Sequence, residues 1–411
     1  MLGARYSTEL RMSARLTRHP TRPEISLLDG RFYADDPHSH FSWMRENAPV
    51  YWDDVGQVWG ITRHDDLQAV SKDSETFCNR HGMRPDAPAI PSMINFDGEY
   101  HKRRRNLVNR GFTPRRVADH ERKIRGICTS LIESAKQKGR MDFVSEVAAP
   151  LPMIVIGDML GVLPEDRDRL LRWSDDLISG LSLSAAPAAI AATARAAIEY
   201  AGYCAEVIAD RRRRPPADDL MSILVHAEVD GERLDDEALV QESLLILVGG
   251  DETTRHVISG GMYQLLRHPD QRRKLAANPA AIPTAVEEML RWVTPIQNMS
   301  RTVTRDVELR GEHLRGGDKV MLLYPSGNRD ARVFDDPFRF DVERNPNPHL
   351  AFGGYGAHFC LGSSLARLEL RVMFQEILAR VEEIELVDDG RPPYRNSNFI
   401  TGIESMPVEI R

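Results

Sequence analysis

The sequence predicts a mainly α-helical fold, built as one large domain or two, with short strands near both ends of the chain. Three observations predict it. From Ala118 to about Ala227, helix-like stretches follow one another with breaks at Lys138-Gly139, Pro164, Pro187 and Pro215-Pro216, because glycine and proline interrupt helices. From Asp235 to Arg267 runs one long patterned stretch with acidic residues at its start and Arg267-His268-Pro269 at its end, the polarity a helix dipole favours. Near the N-terminus, Val50-Tyr51-Trp52 and Val58-Trp59-Gly60-Ile61 flank the turn cluster Asp53-Asp54-Val55-Gly56, which is a hairpin pattern. At 411 residues and 42% hydrophobic, the chain can bury a large core.

Composition excludes several function classes. A formal net charge of −7 does not suit general nucleic-acid affinity. The four cysteines, Cys78, Cys128, Cys204 and Cys360, show no paired spacing, so neither a disulfide framework nor a zinc site is expected, and a reducing, cytoplasmic compartment fits. The longest purely aliphatic run, Leu244 to Val248, is five residues, far short of a membrane span. Residues 1 to 23 hold five arginines and one carboxylate, a faint transit-peptide pattern. We read 1–24 as a disordered extension and 25–411 as a single domain, with β-rich parts near 50–62, 295–325 and the C-terminus.

In chain order, a first helix ends at Ala48-Pro49, the hairpin follows, and a short helix covers Asp65 to Ser71. From His81 to Asp97, Pro85, Pro88 and Pro91 forbid a regular helix while Met83, Ile90, Met93, Ile94 and Phe96 call for burial. A mobile flap over an apolar cavity explains both facts, and so does a plain irregular loop. Lys102 to Arg125 carries ten Lys or Arg against two carboxylates. Such runs usually form a solvated face, but His101 and Arg105, four apart, share one side of a helix. Leu151 to Leu163 is apolar on nearly every face and must be buried. Leu181 to Tyr200 is alanine-rich and poorly specified.

The stretch Asp235–Arg267, if continuous, is roughly 50 Å long at ~1.5 Å per residue and crosses the whole molecule. Gly249 and Gly250 interrupt its pattern, each at a cost of about 1 kcal/mol relative to alanine. Asp251, Glu252, Thr253 and Thr254 then place polar groups in an apolar helix. Gly249 and Thr253 are four apart, so one face presents a gap beside a hydroxyl, suited to a diatomic ligand and a hydrogen bond to it. Glu252 lies about 100° around the helix, where it can relay protons from a polar channel. Further on, Glu288 and Arg291 stand at i,i+3, a spacing that on a surface is worth under ~1 kcal/mol. His349 to Leu370 brings Gly353, Gly354 and Gly356 into Cys360 and then into a leucine-spaced helix. A cysteine at a helix mouth is poised as a thiolate, with His358 as a donor beside it.

The run Phe352-Gly353-Gly354-Tyr355-Gly356-Ala357-His358-Phe359-Cys360-Leu361-Gly362 resembles the haem-binding loop of the cytochrome P450 family. It has one residue more between Phe352 and Cys360 than the commonest form, as in an actinobacterial subgroup. The resemblance implies heme b (iron protoporphyrin IX) with the Cys360 thiolate as axial iron ligand, inside a loop that includes Phe352, His358 and Gly362. His101 and Arg105, followed by Phe112-Thr113-Pro114, resemble the family's helix that binds the haem propionates. Arg301, in Met299-Ser300-Arg301-Thr302, resembles a further propionate ligand. Gly249-Gly250-Asp251-Glu252-Thr253-Thr254 resembles the oxygen-activating segment, with Glu252 in place of the commoner aspartate of an acid–alcohol pair. Glu288-Met289-Leu290-Arg291 resembles the ExxR motif, a buried pair joined by a third arginine, for which Arg329 and Arg344 both fit.

The resemblance implies a helical triangular prism with a smaller β-rich lobe, and a haem-thiolate monooxygenase inserting one atom of O₂ into a C–H bond. It implies a ferredoxin and an NAD(P)H-dependent ferredoxin reductase as electron donors, met at a basic patch of Arg103, Arg104, Arg115 and Arg116. The expected pocket residues Met83, Ile90, Met93, Ile246, Ile296, Met299, Phe399 and Ile400 are apolar, which suits a large apolar substrate. LPMIVIGDMLGV, LLILVGGDETTRH, EEMLRW and NFITGIESMPV resemble actinobacterial members that oxidise the terminal methyl of cholesterol or cholestenone side chains. Other apolar substrates (a fatty acid, terpenoid or polyketide), a peroxide-driven enzyme and a haem-thiolate sensor without turnover are the alternatives. The Glu252-Thr253 pair speaks against a sensor, which needs no proton relay.

Overall fold

Helices dominate because long stretches keep an apolar face and confine glycine and proline mostly to their ends. A computed structural model of the chain describes residues 17–180, 186–228 and 231–411. Glu121–Lys138 stops at Gly139, whose φ of 69° a side chain would resist. Pro150–Leu160 starts on proline, stops at Gly161 and is buried around most of its circumference, as its all-round apolar sequence requires. Pro187–Arg213 forms one helix; the rest of the poorly specified stretch, 181–185, lies outside the described residues.

The long stretch is one continuous helix, Asp236–Arg267, of 32 residues. The Asp235 carboxylate caps it by accepting the Ala238 N–H, the role short acidic side chains fill at N-caps. It packs against Pro150–Leu160, Ile282–Val293 and Ser363–Arg380. A Cβ on Gly250 would stand 2.9 Å from Ile156, whereas one on Gly249 would meet nothing within 4 Å. The adjacent glycines therefore serve different ends: Gly250 lets a neighbouring helix approach, and Gly249 leaves open space.

The β-rich lobe is a five-stranded sheet in the spatial order Val50–Asp53, Val58–Ile61, Lys319–Leu323, Asn298–Val303, Phe77–Cys78. Alternation along each strand sends Trp52, Trp59, Val320 and Leu322 to one apolar cluster and Tyr51, Val58, Met321 and Leu323 to another. Near the C-terminus, Pro407–Ile410 pairs with Arg140–Asp142 and Ile384–Leu386.

Two expectations need amending. Residues 1–16 lie outside the described residues, but the last part of the expected extension packs on the sheet. There the Arg22 N–H donates to the Tyr51 hydroxyl at 3.1 Å, and that hydroxyl donates to Arg22 O at 2.8 Å. The segment from His81 to Asp97 is irregular yet fastened rather than loose. Ser300 N–H donates to Met83 O at 2.7 Å, Met93 N–H to the buried Glu242 at 2.9 Å, and Met83 N–H to Asn95 at 2.8 Å. Buried backbone groups must find partners, and a proline-rich segment that cannot be helical finds them across the fold.

Glu288 and Arg291 both have no solvent exposure and form a two-pronged pair at 2.7 Å. Arg344 completes the cluster, its Nε 3.2 Å from Glu288 Oε2. Arg329, the other candidate, instead donates to the carbonyls of Arg291 and Trp292 and stacks on Trp292 at 4.1 Å. Removing one partner of a buried pair strands the other charge. Arg291→Ala is therefore expected to lower unfolding stability by ~3–5 kcal/mol in chemical denaturation. A loss no larger than a surface pair's would show that the cluster does not hold the fold.

Candidate active site

The loop from His349 to Cys360 folds against the helix His64–Lys72. A Cβ on Gly356 would lie 1.8 Å from Ser71 O, and one on Gly354 would lie 2.2 Å from Ser71 Oγ, so only glycine fits at either place. The additional residue is taken up in a turn where Gly353 has φ 97° and Tyr355 φ 61°. A tyrosine rarely adopts that conformation. It is held by ring stacking on Phe359 at 5.3 Å and by a hydrogen bond from its hydroxyl to His349 O at 3.2 Å. Cys360 N–H donates to Phe352 O at 3.0 Å, which closes the loop.

Cys360 faces an internal cavity, and its accessible surface opens there while protein encloses it. Burial raises the thiol's pKa, opposed by the Gly362 N–H, by Arg105 and Arg367, and by the Ser363 N–H. The thiolate expected from the helix start is thus not favoured by the protein alone, because desolvation outweighs the donors. The donors nonetheless point at the sulfur and would stabilise it once a cation shares the charge.

Across the cavity stand Gly249, Gly250, Thr253 and Thr254 of the long helix. The Thr253 hydroxyl donates to Gly249 O at 2.9 Å. His101, Arg105, Phe352, His358 and Gly362 also line the cavity. The rings of His101 and His358 stack at 4.1 Å, and the Nε2 atom of each is buried with no hydrogen-bond partner. Burial takes His101 down to about 4 and His358 to about 2, so at neutral pH both are neutral and the formal charge comes from arginine. Arg105 donates to Phe359 O at 2.5 Å. Arg301 is buried beside Tyr324 and does not itself line the cavity.

Asp251 and Glu252 turn away from the cavity. Glu252, with no exposure, lies 2.6 Å from Arg255 and 2.5 Å from Arg395. Burial opposes its ionisation, but His256 and the two arginines prevail and hold it below the usual carboxylate range. Arg255, Arg395 and Asp175 line a separate outer groove, and burial lifts Asp175 to about 6. Glu252 itself lines neither that groove nor the cavity. Asp251 is buried beside Ser174, neither oxygen in a hydrogen bond of normal geometry, and burial together with Glu252 raises it to about 8.

Of the expected pocket residues, Met93, Ile246, Ile296 and Met299 line the cavity. Met83, Phe399 and Ile400 do not; they pack behind Ile94, Ile296 and Met299 in a second apolar layer. Ile90 lies outside the lining altogether. The expected basic patch is largely paired off: Arg103 meets Glu232, Arg104 turns inward to Glu242, and Arg116 meets Asp218. Arg115 stays exposed.

The sequence reading missed Glu287, Arg367 and Glu369. Glu287 accepts from Arg367 at 2.7 Å and pairs with His349 at 3.0 Å, fastening the loop to two helices. Its position beside Glu288 was the available signal, hidden by the motif next to it. Glu369 lines the cavity, and burial followed by Asp251 raises its pKa well above the ordinary carboxylate value. Nothing in its surroundings in sequence marks it.

The family model described as Cytochrome P450 matches residues 26–283 and 280–407. A protein named Steroid C26-monooxygenase from Mycolicibacterium smegmatis is 49% identical over 394 residues, covering 96% of this chain and 98% of its own length. A namesake from Mycobacterium tuberculosis is 50% identical over 388 residues, covering 94% and 97%. A Methyl-branched lipid omega-hydroxylase from Mycobacterium bovis is 39% identical, covering 94% of each. Among solved structures, a Mycobacterium marinum cytochrome P450 with pseudoionone superposes with a TM-score of 0.87 at 35% identity, covering 97% of this chain and 100% of that one. A Bacillus megaterium protein with corticosterone gives 0.83 at 33%, covering 92% and 99%.

The two kinds of glycine make opposite predictions. Gly356→Ala forces backbone to move and should cost ~1–3 kcal/mol or more, read as a lowered Tm by circular dichroism. Gly249→Ala meets open space and should leave Tm equal or higher, since alanine favours the helix by about 1 kcal/mol. Equal melting of both variants would contradict the close contact at Ser71.

Proposed function

The chain belongs to the cytochrome P450 family, with heme b as cofactor and monooxygenation as activity. On that premise we propose that it hydroxylates the terminal methyl of a sterol side chain, with Cys360 as the iron ligand. The observation that carries the site reading is that Cys360 and the Gly249–Thr253 face line one apolar cavity. The residues suit the cofactor. A sulfur with converging N–H donors matches an iron ligand, and two buried histidine nitrogens lacking partners, with Arg105, match the carboxylates of a porphyrin.

When bound, the haem supplies the activation of O₂ for insertion of one oxygen atom into a C–H bond. The chain's own residues do the rest. The Gly362 and Ser363 N–H groups temper the charge on the Cys360 sulfur, and hydrogen bonding to a thiolate tunes its donation to a metal. The Glu287, His349 and Arg367 network holds the loop in register. Gly249 leaves room beside Thr253, whose hydroxyl can exchange its bond to Gly249 O for one to a cavity ligand while keeping the proton at Oγ1. Glu252, fixed by Arg255 and Arg395, does not reach the cavity as it stands. It acts from behind as an anchor, holding Arg255 and Arg395 of the outer groove against the helix that carries Thr253. The apolar wall of Met93, Ile94, Ile246, Ile296 and Met299 excludes water and orients substrate.

The sterol assignment is supported by the names of the relatives at 49% and 50% identity and by that apolar wall. A second reading, ω-hydroxylation of a branched lipid, draws on the 39% identical relative. Electrons come from a ferredoxin and its NAD(P)H-dependent reductase in the cytoplasm. No helix of the described residues is long and apolar enough to cross a membrane.

Spectral titration of the haem protein separates the readings. Cholestenone should shift the spin state at micromolar concentration, while a fatty acid should bind more weakly by about tenfold or more (~1.4 kcal/mol or more). A shift with the lipid and none with any steroid would overturn the sterol assignment. Thr253→Ala should leave reductant consumption largely intact while product per reductant falls by about tenfold, within the range general acid–base groups contribute. Full coupling in that variant would remove Thr253 from the proton path.

A further inference from the structure

Arg84 is 2% exposed, in the fastened proline-rich segment, and belongs to none of the motifs above. Its Nη1 donates to Asn298 Oδ1 at 2.7 Å and its Nη2 to Asn398 Oδ1 at 2.8 Å. Asp86 lies 3.5 Å away, and the guanidinium stands 4.6 Å over the Phe399 ring. The two asparagines are themselves tied: Asn298 Nδ2 donates to Asn398 O at 2.7 Å, and Asn398 Nδ2 to Leu28 O at 3.0 Å. One cation therefore joins three segments far apart in sequence: the proline-rich segment, the sheet strand and the C-terminal turn.

What those segments build is a partition. Met83, Ile178, Phe399 and Ile400 pack with Ile94, Val248, Ile296 and Met299 in one apolar cluster. Ile94, Ile296 and Met299 face the cavity of Cys360, while Ile178 and Phe399 face the outer groove. The cluster is thus the wall between the two spaces. Apolar packing alone is non-directional, so it does not determine which way this wall stands. A planar guanidinium with fixed donor directions does, and an outward swing of residues 83–86 would break its bonds to Asn298 and Asn398 while Asp86 moves along with it.

We propose that Arg84 is a positioning residue that clamps this partition shut and so governs how bulky molecules pass between groove and cavity. The clamp rests on the reading of the cavity as the haem and substrate site, and it adds a control that none of the haem-binding or proton-handling residues supplies. Small ligands need no movement of Phe399 or Met83, whereas a bulky one must displace them. Arg84 thereby discriminates by size and by rate rather than by contact with the reacting atoms.

The test uses haem-loaded protein and two iron-ligating azoles of one chemistry and different size, imidazole and clotrimazole, followed by stopped-flow absorbance. Arg84→Gln should raise both association and dissociation rates of clotrimazole about tenfold, since two charge-assisted hydrogen bonds are lost, and leave imidazole rates unchanged. Arg84→Lys, which keeps the charge but reaches one acceptor, should fall between. Phe399→Leu thins the wall without touching the polar hub and should also speed clotrimazole, which keeps the proposal testable if Arg84→Gln fails to fold. Unchanged clotrimazole rates, or an equal rise for imidazole, would overturn the clamp. The reduced carbon-monoxide spectrum of the wild-type protein tests thiolate ligation separately. Its normal form together with unchanged clotrimazole rates refutes the clamp alone, and an abnormal form refutes the Cys360 reading.

Discussion

A carboxylate and a guanidinium with no solvent exposure must satisfy every hydrogen bond inside the protein, and Glu288 with Arg291 do so by drawing a long irregular segment around themselves. Arg291 donates to the carbonyls of Asn328, Pro337 and Arg339, while Glu288 accepts from Asp341 N–H, Arg344 and Asn347. The chain from Asn328 to Asn347 has little regular structure, so these bonds stand in for a sheet or helix ladder. That segment leads directly into the loop of Cys360. The position of the sulfur therefore depends on an ion pair that never touches it. Such a pair is a poor source of net stability but a strong source of direction, because only one wrapping of the segment leaves no charge unmatched.

Charge is sorted by the long helix. Its Gly249–Thr253 face is open and nearly uncharged, while Glu252, one residue from Thr253, is sealed among Arg255, Arg395 and His256 on another side. A helix advances about 100° per residue, so adjacent residues can stand in different electrostatic environments without bending the backbone. The cavity lining stays largely apolar while an acid held below its ordinary pKa by a histidine and two arginines stands within one residue of it. Glu369 is the exception, a cavity-lining carboxyl whose pKa burial pushes well above its ordinary value, in the direction of the neutral form that disturbs an apolar cavity least.

Legibility in the sequence followed distance along the chain. Gly249 with Thr253, His101 with Arg105, and Glu288 with Arg291 are each within one helical turn, so spacing alone placed each pair on one face. The choice between Arg329 and Arg344 was not legible, because it depends on how the chain wraps back onto the Glu288 helix from Arg344, 56 positions away. The same holds for Arg84, whose partners Asn298 and Asn398 are 214 and 314 positions away. Counting charges misled for a related reason. The ten cations of residues 102–125 looked like a free basic face, yet Arg103, Arg104 and Arg116 meet Glu232, Glu242 and Asp218 from remote segments. The opposing effect of burial on the sulfur was not legible either, because a helix start is visible in sequence and the depth of burial is not.

The faces that carry Cys360 and Thr253 and the segments that form the wall behind the cavity are consequently built from different physics. The first sit on continuous helices and in a loop where Gly354 and Gly356 tolerate no side chain, so most changes there disturb backbone. The second are irregular segments held by a few side-chain bonds, with Met83, Phe399 and Ile400 a layer behind the cavity surface. Changing a side chain in that second layer alters the shape and mobility of the wall without moving Cys360 or Thr253. Substrate range can then drift while the reaction stays the same, and proteins similar to this chain do carry names as different as a steroid monooxygenase and a branched-lipid hydroxylase. The specificity of this chain is accordingly to be sought in the residues that hold the wall, more than in those that touch the reacting atoms.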